Sequence, residues 1–464
     1  LTFLGATDSL GARSYRFYDW QVYAASLDTA RIGYKIFYRE RTDFGTLLSE
    51  LGESTHATHY GAEFALVRNP NSQLRATLSN RVLGITNPEL TNEAPERTLL
   101  SRIDYNLRLA RNAISSATYY ELGSGLERRL EFIYLFDPTG QGPFTWIDYN
   151  GNGVKELNEF ELARPEDGQR YVRIFTPTDT YERAYSNQFS QTINLQPSNV
   201  WLNKTGIRKT LARFSNQTAF RIQRRTRRED GADRYNPFAN SQSDTILISQ
   251  TSSLRNTFFF NRTSSKYGAD YTYSDVFNKN PLTAGFESRA VRSHVWRVRY
   301  NVTSSWALLT EYETGRRFSA SDFIEGRDFD IDLRSVKQNV SYQPGTNFRA
   351  SLTANVASKE NTRELGGEEA MLLNLGLDGR LNKLESGTFF ANLNYIRISY
   401  NGATNNSLAY EMLEGLQPGN NVTWGAGVQR TLGNNLQLNL SYNGRKSEAI
   451  KAVHTGNVQV RAFF

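Results

Sequence analysis

Stretches of ten or more residues alternate apolar and polar side chains with a period of two, about twice the length of a strand in an ordinary soluble domain. Each such stretch carries one greasy face and one wet face when extended. Ile32, Tyr34, Ile36 and Tyr38 share one face while Arg31, Gly33, Lys35 and Arg39 share the other, with Phe37 the exception. Ile103, Tyr105, Leu107 and Leu109 lie opposite Arg102, Asp104, Asn106 and Arg108, and Leu352, Ala354 and Val356 lie opposite Ser351, Thr353 and Asn355. Leu436, Leu438 and Leu440 repeat the arrangement against Gln437, Asn439 and Ser441. No window reaches the roughly 18 consecutive apolar residues of a membrane-spanning helix. A sheet closed on itself in lipid needs apolar residues on its outer face alone, so a chain with 39% hydrophobic residues can still be membrane-embedded.

Connections between these stretches come in two lengths. Short turns fall near residue 28, at 69–72, near 112, and at 264–268, 303–305, 343–346, 383–387 and 433–435; longer polar loops fall at 42–58, 226–243, 319–327, 359–368 and 403–420. Antiparallel strands crossing a bilayer produce such a rhythm, with short periplasmic turns and long extracellular loops. The expectation is an all-β, transmembrane antiparallel β-barrel of roughly 18–20 strands, the region 121–199 being the hardest to divide. Residues 1–464 read as a single barrel, with 136–170 a long extracellular insertion. Trp20, Trp306, Tyr312, Tyr342, Tyr400 and Trp424 sit near strand ends, where a barrel carries its interfacial girdles.

Composition excludes several function classes. There is no cysteine, hence no disulfide and no thiolate chemistry. The net charge of +7 is spread over scattered Lys and Arg with no basic block, which argues against a nucleic-acid partner. No nucleophile elbow, phosphate loop, dinucleotide fingerprint or zinc-protease motif is present, so no catalytic residue is assigned and the chain does not read as an enzyme. His56 and His59, with Glu53 nearby, read as solvated loop residues before a metal pair. His294, beside Arg292 and Ser293 in mid-strand, reads as a lumen or girdle side chain.

One local motif stands out. Residues 148–159 fit the twelve-position calcium loop, in which hard oxygen donors recur at fixed spacing around a glycine turn. Asp148, Asn150 and Asn152 would each offer an oxygen, Val154 its carbonyl, Glu156 a direct or water-mediated ligand and Glu159 a bidentate carboxylate. Residues 144–147 read as extended, so the loop is not part of a helix-loop-helix hand. Calcium is the one cofactor expected, as a stiffener of an outer loop; the alternative is an Asn- and Gly-rich turn without metal.

The wet face is rich in arginine. Arg31, Arg39, Arg75, Arg102, Arg108, Arg297, Arg299 and Arg349 are expected to line the lumen, among carboxylates such as Glu63, Asp104, Asp330 and Asp332. In an open lumen they would set selectivity, and in a filled one they would bridge to each other.

Val458, Val460, Ala462 and Phe464 share one face of a final strand that ends in Phe463 and Phe464. This ending resembles the terminal strand of bacterial outer-membrane barrels, which implies that Phe464 is a signal read by the barrel-assembly machinery. The resemblance places the chain in the bacterial outer membrane, with outer-membrane lipid as a partner. Residues 142–194, with Trp146, the calcium-type loop and the run 171–178, resemble outer-membrane and surface proteins of the Bacteroidota. With Leu1 at the start and no leader before the first strand, the expectation is the C-terminal barrel region of a larger protein. The first functional reading is a structural or translocation component of an outer-membrane complex, partnered by other outer-membrane or surface proteins. The alternative is a porin or plugged nutrient transporter moving small solutes, and after it a soluble β-rich adhesin with shorter strands.

Overall fold

The computed structural model describes residues 3–4, 9–10, 14–27, 30–47, 50–164, 168–227, 236–238, 247–282, 285–322, 326–364, 366–383, 387–432, 436–448 and 450–462. Long strands dominate. In chain order they are β1 (Tyr15–Ala25), β2 (Gly33–Leu47), β3 (Glu50–Leu66), β4 (Ser72–Ile85), β5 (Glu96–Leu109), β6 (Ile114–Phe136), β7 (Tyr171–Leu195), β8 (Phe214–Thr226) and β9 (Leu247–Phe260). They continue as β10 (Tyr267–Leu282), β11 (Gly285–Asn301), β12 (Trp306–Ser321), β13 (Phe329–Tyr342), β14 (Phe348–Asn361), β15 (Glu369–Lys383), β16 (Gly387–Tyr400), β17 (Gly419–Leu432), β18 (Leu436–Ser447) and β19 (Val453–Ala462).

Hydrogen bonding orders these strands as a closed antiparallel barrel, with two three-residue strands, Phe144–Trp146 and Phe160–Leu162, inserted between β6 and β7. The 19 long strands among the described residues lie inside the range expected from the hydrophobic rhythm. The stretch that resisted division resolves into β6 and β7, of 23 and 25 residues. Phe464 lies outside the described residues.

The period-two code is visible strand by strand. On β15, Met371, Leu373, Leu375 and Leu377 are exposed while Ala370 and Leu372 on the other face are buried. Apolar side chains thus face outward and the core, where there is one, lies inward, the reverse of a soluble domain. Rings gather at the outer strand ends: Trp296 packs against Tyr271, His294 and Tyr312, and Trp306 against Tyr342. The turn from β5 to β6 is tight, with Ala110, Arg111 and Asn112 all at positive φ, and the Asn112 carbonyl accepts a hydrogen bond from Asn199.

By internal contact density the chain forms two compact units. Unit 1 comprises residues 1–129, 177–212 and 216–254; unit 2 comprises 130–176, 213–215 and 255–464.

Three expectations are corrected. The loop expected at 42–58 is instead the end of β2 and the first half of β3, because hydroxylated and small residues such as Ser54, Thr55, Ala57 and Thr58 are strand-compatible without the large apolar side chains that mark alternation. His56 and His59 therefore point to opposite faces of β3 and cannot share a metal: His56 faces Glu40 and Thr42, His59 packs edge-on against Phe37. Asp330 and Asp332 lie on the outer face of β13, where Asp330 pairs with Arg316, because Phe329, Ile331 and Leu333 take the inner face.

Candidate functional site

In unit 2 the inner wall is covered near one end by two connections. The helix Ser407–Met412, capped by Asn406 accepting from the Ala409 N–H at 2.7 Å, turns Leu408, Ala409, Met412 and Leu413 to one side. These four pack on Phe329, Ile331, Leu333, Ala357, Ala370, Leu372 and Ile398, which are inner-face residues of β13 to β16. A barrel normally keeps polar side chains there. The apolar patch exists because the helix covers it.

The second connection is the excursion between β6 and β7. Phe144–Trp146 and Phe160–Leu162 form a hairpin whose base is an aromatic cluster, with Tyr134 stacked on Phe160 at 4.1 Å and Phe160 edge-on to Tyr171 at 5.1 Å. Glu161, 5% exposed, projects from this hairpin into a cluster of charges. Arg327, also 5% exposed, reaches it at 3.1 Å and donates to the Phe160 carbonyl at 2.6 Å. Glu287 lies 3.8 Å from Arg327 and 3.2 Å from Arg289. Burial works against the Arg327 charge, yet Glu161 and Glu287 outweigh it and hold the guanidinium proton more tightly than usual.

The helix and the excursion are joined. Ser407 donates to Glu161, Tyr410 donates to the Leu162 carbonyl at 3.1 Å, and Asn405 donates to the Tyr149 carbonyl. Glu411 pairs with both Arg164 of the excursion and Arg317 of β12. Burial alone would raise the Glu411 pKa, but Arg164 and Arg317 hold it below the ordinary carboxylate range. Partial loss of hydration would raise the pKa of the half-exposed Glu414, but Lys359 outweighs it, and the Lys359 ammonium also donates to the Met412 carbonyl at 2.8 Å. Hydrophobic seating, hydrogen bonds and ion pairs thus lock one cap.

The calcium-type loop forms the tip of this excursion. Gly151 and Gly153 take positive φ of 74° and 71°, which only glycine adopts freely. Asp148 accepts from the Gly151 and Gly153 N–H groups at 2.7 and 2.8 Å, Asn150 from Asn152, and Asn152 from Val154. Glu156 takes amide hydrogens from Asn150 at 2.9 Å and Asn152 at 3.3 Å. Glu159 is fully buried and accepts from the Trp146 indole at 2.7 Å and the Tyr149 N–H at 3.2 Å. The donor chemistry suits a hard cation, but a cation would have to break the Asn–Glu156 bonds and compete with Trp146 for Glu159. Among the described residues no group of three or more His, Asp or Glu is placed to hold a metal.

The arginines expected in the lumen are dispersed over both units. Arg31 precedes β2 on a bend. Arg39 pairs with Asp19, Arg102 with Asp104 at 2.9 Å, and Arg297 with Glu311 at 2.9 Å. Arg75 stands opposite Asp104 in register, and Arg108 opposite Ser115. Arg299 donates to the Ser264 carbonyl at 2.7 Å, and Arg349 lines a cavity of about 490 Å³ with Lys337, Asp378 and Arg380. His294 bonds to Tyr271 at 2.8 Å within the outer ring cluster, and its neighbour Ser293 points to the other face.

The cap residues were missed because they lie in segments that read as polar loops. The signal was nonetheless present: Leu408, Ala409, Met412 and Leu413 follow the i, i+1, i+4, i+5 spacing of an amphipathic turn behind an Asn cap.

An apolar outer face, a polar inner face and a loop folded inward define this chain as an antiparallel β-barrel with an internal cap. No protein-family profile and no curated protein matches it. Among solved structures it is similar to one described as "Copper transporter OprC", at 7% identity and a TM-score of 0.38, over 96% of this chain and 71% of that one. Among the described residues no helix is long and apolar enough to cross a membrane.

Proposed function

We propose that the chain spans the bacterial outer membrane and serves as a conduit for small solutes, held shut on the unit 2 side by the cap. The supporting observation is the inward-folded helix Ser407–Met412. Its buried apolar contacts and its charged locks on Glu411 and Glu414 hold a connection against the inner wall, where a purely structural barrel needs none. The exposed apolar face, which is stable against hydrocarbon and not against water, supports the membrane assignment. Inner-face guanidiniums remain wet, the Arg102 side chain being 50% exposed, as an aqueous passage requires.

Planar-bilayer conductance tests this reading. Wild-type barrel should give small or closed events, and deleting residues 403–416 should open a steady conductance several-fold larger. Equal conductance from both would overturn the conduit.

The reading as a component of a larger assembly finds support in the loop tip, where residues 150–155 are exposed on a hairpin held rigid by its own hydrogen bonds. Such a tip is a suitable surface for another outer-membrane protein.

A further inference from the structure

We propose that the inner wall of unit 1 carries a site for a small solute bearing a single oxyanion, carboxylate or phosphate, built on the cross-strand row Arg39, His59 and Arg81. Register places His59 directly opposite Arg39 on one side and Arg81 on the other. Gln21 and Thr98 extend the row, so no carboxylate occupies it. Directly opposed side chains on neighbouring strands lie about 5 Å apart, so Arg39 and Arg81 flank His59 from the two adjacent strands. An anion bound over His59 would lie within reach of both guanidiniums.

The acids nearby leave one cation uncommitted. Asp19 takes Arg39 through two hydrogen bonds, and Asp43 takes Arg41 through three. Arg81 is exposed and has no hydrogen-bond or ion-pair partner among the described residues. Its planar fork is suited to two oxygens of a carboxylate or phosphate.

A cavity adjoins the row. It has a volume of about 440 Å³ and is lined by Arg39, His59 and Arg81 together with Thr55, the paired Arg41 and Asp43, and Glu93. That size falls in the range of small-molecule sites, roughly 300 to 1,000 Å³. Phe37 packs edge-on against His59, ring centroids 4.9 Å apart, and Gly61 leaves the room for it: a Cβ there would lie 2.9 Å from that ring. This explains why Phe37 breaks the alternation of β2. Glu93 disfavours a polyanion and suits a solute whose remainder is neutral or cationic.

The test is titration calorimetry of the barrel in neutral detergent at constant ionic strength, with inorganic phosphate in one arm and lactate in the other. Binding is read without transport, so this result and that of the conductance experiment stand apart. Saturable binding in either arm is expected, and the arm that binds assigns the oxyanion. Arg81→Gln should weaken it at least tenfold, Arg81→Lys should weaken it less, and Arg363→Gln, on an external loop, should leave it unchanged. Heat-modifiable gel migration certifies folding, and should Arg81→Gln not fold, His59→Gln takes its place with the same expected loss. No saturable binding in either arm, or wild-type affinity in the folded row variant, would overturn the site.

Discussion

Two buried charges of the cap look alike, yet disturbing them should cost unequal amounts of stability. Arg327 has a side chain 6% exposed, and its main partner Glu161 is 7% exposed. Removing Glu161 leaves a buried guanidinium without its nearest anion, so Glu161→Ala should cost about 3 kcal/mol in a urea unfolding titration of the folded barrel. Lys359 is as deeply buried, but Glu414 is 51% exposed and can turn to water. Lys359→Met removes the charge from the apolar side and should cost no more than about 1 kcal/mol. Equal losses from the two variants would show that the cap is not organised around Glu161. The same residues set the pH response. Glu411 and Glu414 have folded-state pKa values below their ordinary 4.5. Their contribution is therefore complete above that value and is lost as the pH falls through the lowered ones. Hydrogen exchange across residues 408–413 should be slow and flat from pH 5 to 7, after correction for intrinsic rates, and rise below about 4. A rise between pH 6 and 7 would point to a different lock.

At the scale of elements, the tip of the excursion decides whether the chain carries a metal. Its Asx-type hydrogen bonds hold the turn without one, whereas the carboxylates Asp148, Glu156 and Glu159 offer a cation its charge. If calcium binds, wild-type barrel should show saturable uptake with one site, and Glu159→Ala should lose it; indistinguishable titrations would remove calcium from the account. How much was legible in the sequence differs between elements. β18 could be read directly, since Leu436, Leu438, Leu440 and Tyr442 alternate with Gln437, Asn439, Ser441 and Asn443. The start of β3 could not, because residues 52–59 carry no large apolar side chain, whereas Tyr60, Ala62, Phe64 and Leu66 further along alternate as expected. The cap was hidden for a different reason: its inner-face seat on β13 is apolar, so both faces of Ile331 and Leu333 lose the contrast that marks direction, and Asp330 and Asp332 were assigned inward. Long-range partners such as Glu161 and Arg327 carry no local signature at all.

For the molecule as a whole, the physics is an inversion. Burial of apolar side chains usually drives collapse inward, but here Leu373, Leu375 and Leu377 stay exposed, and the polar row beside them faces in. That arrangement is stable only if hydrocarbon replaces water outside. The inner wall then has freedom to hold charge, which both the cap of unit 2 and the arginine row of unit 1 exploit. The chain has no cysteine, so single introduced ones report cleanly. Spin labels at Leu377→Cys and Asp378→Cys, adjacent on β15, test the inversion directly in reconstituted vesicles. The label at 377 should be relaxed by oxygen and shielded from a water-soluble nickel chelate, and the label at 378 should show the reverse. Equal access of the chelate to both positions would contradict the account.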